Sequence, residues 1–579
     1  MAKRCLPCRC GLCLFDFLDG DHVFVIEGDK KSGPFQRRGR FFKDRDGGNA
    51  HVACLVPCIH HANQAVGCHL ACVKLVAPSA RLAEHLKMTA YSLDPLPYQE
   101  RGRRRWLHSR LECALEQSVP LPSELRREIG RYLLQEYAVM TNSSLLKHPQ
   151  DFACSVSDLA SLRQRYVLFE GERYLSSLIL EEGHQQKQIP SPAMSRAIYI
   201  SEDHRGIKRL VFSNSGRAPN VGTVPGVWWK ALPTAKPNAI LTFHHDGLKM
   251  RHLSYSDGET QISTATAPSF DYPRQVSAGL RVSPFDHVSY KSPYRLARFQ
   301  TNTPDLTGFS VCCGPLPITL HAHTPKDDLS FYEPVLDSSV WIYLPRQQGE
   351  SIMEIWMRGH LHFRDSHSLA LAFVTNRRSV LLGAAPTPRL SQCPWYLLDT
   401  PNGNPSNVYF DSYPHGITSF AFDSSKPPPG PLQPLTLPQP LSSHPDIHAN
   451  FHWSSASVDH VAEISICRRP SRDTSEILGL MLHYADGNRA CLGQVRLDCL
   501  DPPFVVTPSQ SLHLGSKTTA GKGPHIVRAC ISGTDEDRKS VEGSEIDIWF
   551  EVVWSGTVEW WFTDKQCHVW QDGRHSFVL

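Results

Sequence analysis

The sequence predicts a multidomain, mainly β chain that opens with a small Cys/His-rich module, continues through a short α-helical segment and then builds sandwich-like β domains. Three observations point there. At 579 residues the chain has room for roughly three or four domains. Its 44 prolines and 37 glycines mark many turns between short elements, which favours strands over helices. Eight of its 18 cysteines fall within the first 72 residues, a density that core packing does not produce. The expected boundaries are a Cys/His-rich module over 1–78, a helical segment over 79–150, one or more β domains over 151–425, a Pro-rich linker or loop over 426–445 and a final β domain over 446–579.

The early cysteines have metal-ligand spacing. Cys10-Gly-Leu-Cys13 places two thiolates where a tight knuckle turns both toward one tetrahedral ion, with Gly11 easing the turn, and Cys5-x2-Cys8 offers a second such pair. His51-Val-Ala-Cys54 and His69-Leu-Ala-Cys72 repeat a His-x2-Cys spacing. If a helix opens near Cys68, its first turn presents ligands to the knuckle, which is the logic of a treble-clef or RING-like finger. Asp19-Gly20-Asp21 makes a turn, and His22-Val-Phe-Val-Ile26 alternates like a hairpin strand. We expect structural zinc, held by Cys10, Cys13, His51, Cys54, Cys68, His69 and Cys72, with Cys5, Cys8 and Cys58 competing for the remaining places and His60 and His61 also within reach. In a reducing setting such clusters are metal ligands more often than disulfides.

Leucines four apart in Ser79-Ala-Arg-Leu82-Ala-Glu-His-Leu86 and from Leu107 to Leu111 and Leu115 have helix spacing. The sharper stretch is Leu121-Pro122-Ser-Glu-Leu125, with apolar residues following at Ile129, Tyr132, Leu133 and Tyr137. Pro122 suits a helix start, and the spacing gives one apolar face over 121–137. This string resembles the opening helix of an F-box. The resemblance implies docking on a Skp1-like adaptor of a ubiquitin ligase through Leu121, Pro122, Leu125, Ile129 and Leu133. The same periodicity also serves a helix packed inside its own domain.

From Arg165 onward short β-branched and aromatic runs end at Gly, Pro, Asn, Asp or Ser, as in Arg196-Ala-Ile-Tyr-Ile-Ser201 and Val340-Trp-Ile-Tyr-Leu344. Leu369-Ala-Leu-Ala-Phe373 through Gly383 and Leu480-Met-Leu-His-Tyr484 through Gly493 echo one another as strand, turn, arginine and closing Leu-Gly. Both resemble the hairpins of jacalin-type β-prism lectins, so a cytoplasmic lectin-like protein with a carbohydrate ligand is the alternative expectation. Paired tryptophans at Trp560 and Trp561 suit sugar stacking or, more commonly, core packing. Lys426-Pro-Pro-Pro-Gly430 and the prolines that follow it exclude a sheet interior.

A net charge of +3 gives no field that argues for nucleic acid. Arg101-Gly-Arg103-Arg104-Arg105 reads as a solvated helix start or an import signal. With no apolar run fit for a signal peptide or a bilayer span, an intracellular protein, cytoplasmic or nuclear and free of membranes, is expected. Nucleophile-elbow, dinucleotide-loop and His-Glu-x-x-His motifs are absent from the sequence. Glu202-Asp203-His204, His321-Ala-His323 and His360-Leu-His362 are chance-level candidates for acid-base work or ligation. No catalytic residue is assigned.

The Cys/His spacings, Ile200-Ser-Glu-Asp-His204-Arg-Gly206 with Gly226-Val-Trp228-Trp229, and Gly479-Leu-Met-Leu-His-Tyr484-Ala-Asp-Gly487 together resemble a family of large filamentous-fungal proteins, some of them F-box-like. That resemblance implies the same architecture and adds no chemistry. The expected function is a non-enzymatic, zinc-stabilised interaction protein, a scaffold or substrate-recognition subunit whose β region binds a protein target. An enzyme with an unrecognised site in the β region ranks third.

Overall fold

The structure is a computed structural model of the chain. It describes all residues except 1–3, 28–29, 40, 55–64, 77–81, 83–85, 87–88, 145–150, 158–161, 181–196, 216, 235–238, 266, 275–279, 285–294, 315–316, 328, 333–338, 359–369, 386, 388–389, 412–416, 418, 425–434, 444, 447–448, 470–475, 508, 520–522, 533–545 and 577–579. Among the described residues the fold is mainly β, with 50% strand against 14% helix. Two compact units divide it: Met1–Ala278 with Ser289–Arg295, and Gly279–Val288 with Leu296–Leu579. The division falls inside the 151–425 span, expected to hold one or more β domains, while the Cys/His-rich and helical segments belong to one unit.

The first unit begins with six strands: β1 (Arg4–Pro7), β2 (His22–Glu27), β3 (Lys30–Arg38), β4 (Phe41–Lys43), β5 (Asn49–Cys54) and β6 (Val66–His69). They form one sheet in the order β1-β5-β4-β3-β2-β6. The β1–β5 pair is parallel. The expected hairpin strand is β2, whose Val23 and Val25 alternate inward. Helix α1 (Leu70–Leu75) follows β6 directly, and three longer helices stand among the described residues of the segment: α2 (Pro97–Ser118), α3 (Ser123–Tyr132) and α4 (Leu134–Ser144).

Proline at the first position of α2 has no N–H to leave unpaired, and Gln99 Oε1 accepts the Leu96 N–H at 2.9 Å. Leu107 and Leu111, four apart on α2, are both buried. Leu107 joins Leu86, Ala138 and Val139 in one core with Leu12, Phe15, Phe17, Val23 and Phe42 of the sheet module. Full burial of each such side chain contributes about 1.5–3 kcal/mol. The single helix expected over 121–137 is broken: Leu133 leaves helical geometry at φ −92, ψ 5, and the chain restarts as α4. The stretch from 79 to 86 lies largely outside the described residues.

The basic run on α2 is not uniformly solvated. Arg103 is buried. Its Nε and Nη2 donate to the two oxygens of Glu170 at 2.8 and 3.0 Å, and Arg205 Nη1 reaches the same carboxylate at 2.9 Å. Glu170 and Gly171 join strands β7 and β8 of a hairpin, Leu162–Phe169 and Glu172–Leu180, with φ of 46° and 86°. A non-glycine residue held left-handed there costs roughly 1–2 kcal/mol. Gly171 is required twice over, because a Cβ would also stand 2.8 Å from Trp106 Cδ1. Beyond the hairpin, residues of strands Phe152–Ser155, Ala197–Glu202, Ile207–Ser213, Trp228–Pro233, Ile240–His245 and Met250–Ser256 share one apolar core.

The second unit contains the repeat seen in the sequence. Strands Ile352–Arg358, Ala370–Thr375 and Ser379–Gly383 run as a meander. After a 3-10 turn at Leu390–Gln392, Trp395–Asp399 returns to pair with the first strand. Val461–Arg468, Ile477–Tyr484 and Arg489–Gly493 repeat that meander, and after the 3-10 turn Leu497–Cys499 the short strand Phe504–Val505 pairs with Val461–Arg468. The echo therefore extends to a four-strand unit. Trp560 and Trp561 are buried, the second donating its indole N–H to Ser442 Oγ at 2.8 Å, so neither offers a face to a sugar. Of the Pro-rich stretch, 435–440 is irregular and 425–434 lies outside the described residues. No helix among the described residues is long and apolar enough to cross a membrane.

Replacing Glu170 with alanine strands the buried Arg103 guanidinium without its carboxylate and takes one of two nearby carboxylates from Arg205. Glu170→Ala should lower the urea stability of the first unit by about 3–5 kcal/mol, as removal of one partner of a buried pair does. An unchanged unfolding midpoint would show that the cluster contributes nothing.

Candidate metal centre

The knuckle is built by backbone bonds. Leu14 N–H donates to Cys10 C=O and Cys10 N–H to Phe15 C=O, both at 2.9 Å, while Gly11 N–H donates to Gly67 C=O at 2.9 Å and fixes the turn against β6. The left-handed residue in this turn is Leu14, at φ 62. Gly11 is needed for space instead: a Cβ there would stand 2.4 Å from Val66 Cγ1. The sequence-based reason for that glycine is thus corrected from turn geometry to close packing.

Opposite the knuckle, His69 ends β6 as the N-cap of α1, and Cys72 lies within the helix's first turn. The ligand atoms of Cys10, Cys13, His69 and Cys72 all lie within 4.8 Å of one another, and all four residues are buried. His69 Nδ1 stands 3.4 Å from Cys13 Sγ and 3.7 Å from Cys72 Sγ. On a tetrahedral ion a thiolate at about 2.3 Å and an imidazole nitrogen at about 2.0–2.1 Å stand about 3.6 Å apart. The observed separations straddle that value, so the group can hold a metal ion.

Surrounding contacts suit thiolates and a ligating imidazole. Cys10 Sγ accepts the backbone N–H groups of Leu12 and His69, each at 3.4 Å. Gln135 Nε2, from α4, lies 3.1 Å from Cys72 Sγ. His69 Nε2 faces Asp21 Oδ2 at 3.2 Å, the outer carboxylate that orients a ligating histidine and raises its basicity. Arg103 Nη2 and Asn142 Nδ2 donate to the carbonyls of Cys13 and Leu12 at 2.9 and 2.8 Å, so α2 and α4 grip the knuckle's backbone.

Charge in this group is self-limiting without a cation. Burial opposes ionisation of Cys10, yet hydrogen bonds from Cys13, Cys68, Cys72 and His69 outweigh it and hold its thiol well below the usual value. Burial, then the hydrogen bond with Cys10, pushes Cys13 well up. The hydrogen bond with Cys10 is the largest cause raising Cys72, which stands at about 12. One thiolate is thus accommodated and the next is opposed, whereas a dication would stabilise three and expel their protons.

The remaining expected ligands sit elsewhere. Cys68 is buried beside Cys10, outside the group of four. Cys5 and Cys54 are buried on the paired strands β1 and β5, and Cys8 Sγ donates to the Cys54 carbonyl at 3.5 Å. His51, also on β5, packs edge-on against Phe35 at 4.8 Å. Among the described residues these do not join the group of four. Cys58, His60 and His61 lie outside the described residues. Asp21, Gln135 and Arg103 complete the site and were not anticipated. Asp21 alone carried a signal, as a turn residue preceding the hairpin.

The Glu202-Asp203-His204 candidate has structural roles. His204 is buried and its ring lies edge-on to Tyr91 at 4.7 Å; burial, then the Arg205 charge, pushes it well down. Glu202 pairs with Lys230 at 2.5 Å, and Asp203 caps the turn through the Arg205 N–H at 2.7 Å. His360 and His362 lie outside the described residues.

Because the raised thiols must lose protons to bind an ion, metal affinity should rise with pH across the neutral range and fall on acidification. Chelator competition at stepped pH measures this, and a flat profile would contradict thiolate ligation. Asp21→Asn should weaken binding by about 10–100-fold while leaving the stoichiometry unchanged. No protein-family model matches the chain and no curated protein matches it, so the geometry itself must carry the functional inference.

Proposed function

We propose that the chain is a non-enzymatic interaction protein whose first unit is organised by a structural zinc ion in a treble-clef-like finger. Three thiols and one imidazole are a donor set that selects zinc. Four buried donors fill a tetrahedron and leave no position for substrate, which separates a structural site from a catalytic one. The strand layers that follow are, in this proposal, sandwich- or prism-like platforms that choose a protein target.

The observation that carries an interaction role is a row of exposed apolar side chains on α3 and α4. Leu125 is 51% exposed, Tyr132 77%, Leu133 41% and Met140 63%. Exposed apolar side chains mark a binding face where they form one contiguous patch. Ile129 and Leu121 are half-buried beside it and Pro122 is exposed, while Ala138 and Val139 of α4 are locked into the metal module's core. This arrangement supports docking of the 121–133 segment on a Skp1-like adaptor, with the protein serving as an F-box-like recognition subunit.

Two measurements test the proposal. Elemental mass spectrometry should find zinc in the purified chain, reduced by one equivalent in Cys10→Ser with Cys72→Ser; no loss would remove the structural-zinc assignment. Leu125→Asp with Ile129→Asp should abolish co-purification with the adaptor without changing zinc content. Unchanged capture, or none by the intact chain, would refute the docking role.

A further inference from the structure

We propose that His321, His323 and Asp327, in the second unit, form a second metal site that takes a divalent first-row transition ion and leaves coordination positions open to solvent. The strand Pro317–His323 places the two histidines on one face, because they are two residues apart. The chain then turns, and Asp327 accepts the Thr324 N–H and hydroxyl at 3.1 and 2.9 Å. That turn brings the carboxylate back over the strand. Asp327 Oδ2 stands 3.0 Å from His321 Nε2 and 3.4 Å from His323 Nδ1, and the three ligand atoms lie within 4.8 Å of one another.

These separations suit a shared ion. Two donors each about 2.1 Å from a metal stand about 3.0 Å apart at a right angle and about 3.4 Å apart at the tetrahedral angle. The rings are also held. His321 stacks on Phe331 with centroids 3.9 Å apart. His323 Nε2 lies 2.8 Å from Ser310 Oγ, which lies 2.8 Å from the buried Tyr332 hydroxyl. A ligating histidine has its second nitrogen fixed in this way.

The independent observation is at His323 Nδ1. This nitrogen is buried and faces the Asp327 carboxylate at 3.4 Å, without a well-directed hydrogen bond to it. In the tautomer that donates Nε2–H to Ser310, a lone pair on Nδ1 faces the carboxylate, and a cation between them would be bound by both. His321 and Asp327 are each partly exposed, so water completes the coordination from that side. Two imidazoles and one carboxylate prefer zinc, iron, cobalt, nickel or copper to calcium or magnesium.

The test is a Co2+ titration of the full chain after loosely held metal has been removed. The wild type should take up one equivalent with weak visible bands and no thiolate-to-cobalt charge transfer, which distinguishes it from any cobalt entering the cysteine group. His321→Ala and Asp327→Asn, both at partly exposed positions, should each abolish that equivalent. On the wild type alone, Co2+ should slow acylation of His321 by diethyl pyrocarbonate at least about tenfold, read by peptide mass mapping. Absence of this equivalent, its persistence in both variants, or unprotected His321 would overturn the proposal and leave the three groups as a hydrogen-bonded turn.

Discussion

The buried carboxylate of Glu170 is the point on which the first unit depends. It binds Arg103 of α2 through both oxygens and also meets Arg205 from the turn after a core strand. Arg103 in turn holds the carbonyl of Cys13, whose thiol faces the metal group. Knuckle, long helix and β-rich core are thereby referenced to one side chain. In a low-dielectric interior an unpaired guanidinium is very unfavourable, so the segments have one arrangement in which all charges are satisfied. This explains why Glu170 occupies a left-handed position where asparagine or glycine would be easier.

The metal group and the proposed docking face share a helix. Gln135 of α4 touches Cys72, Asn142 holds the knuckle, and Met140 of the same helix faces solvent. The metal-bound state would therefore set the orientation of α4 and, through the break at Leu133, of α3. In the proposed role, a site closed to substrate would still bear on function by fixing the angle at which the apolar side chains of α3 and α4 are displayed.

The parts of the fold legible in the sequence were those governed by short-range spacing. Cys10-x2-Cys13 and His69-x2-Cys72 announced their convergence because knuckles and helix first turns impose those intervals. The duplicated hairpins were visible because alternation, turn and closing glycine all recur. Long-range packing was not visible. Arg103 sits in a run whose other arginines are solvated, and nothing local marks it for burial 67 residues from its carboxylate. Glu170-Gly171 is a weak hairpin signal beside Asn-Gly, since the glutamate is there for its charge. The helix over 121–137 was overextended because apolar periodicity continues through the break at Leu133.

The four-donor group joins Cys13 to His69 across 56 positions. An ion held there binds the folded arrangement of the four donors and not the unfolded chain, so its binding free energy is folding free energy for the first unit. Reducing conditions would leave this staple intact, whereas metal starvation would open it. The availability of the ion would then govern how much of the first unit is held folded.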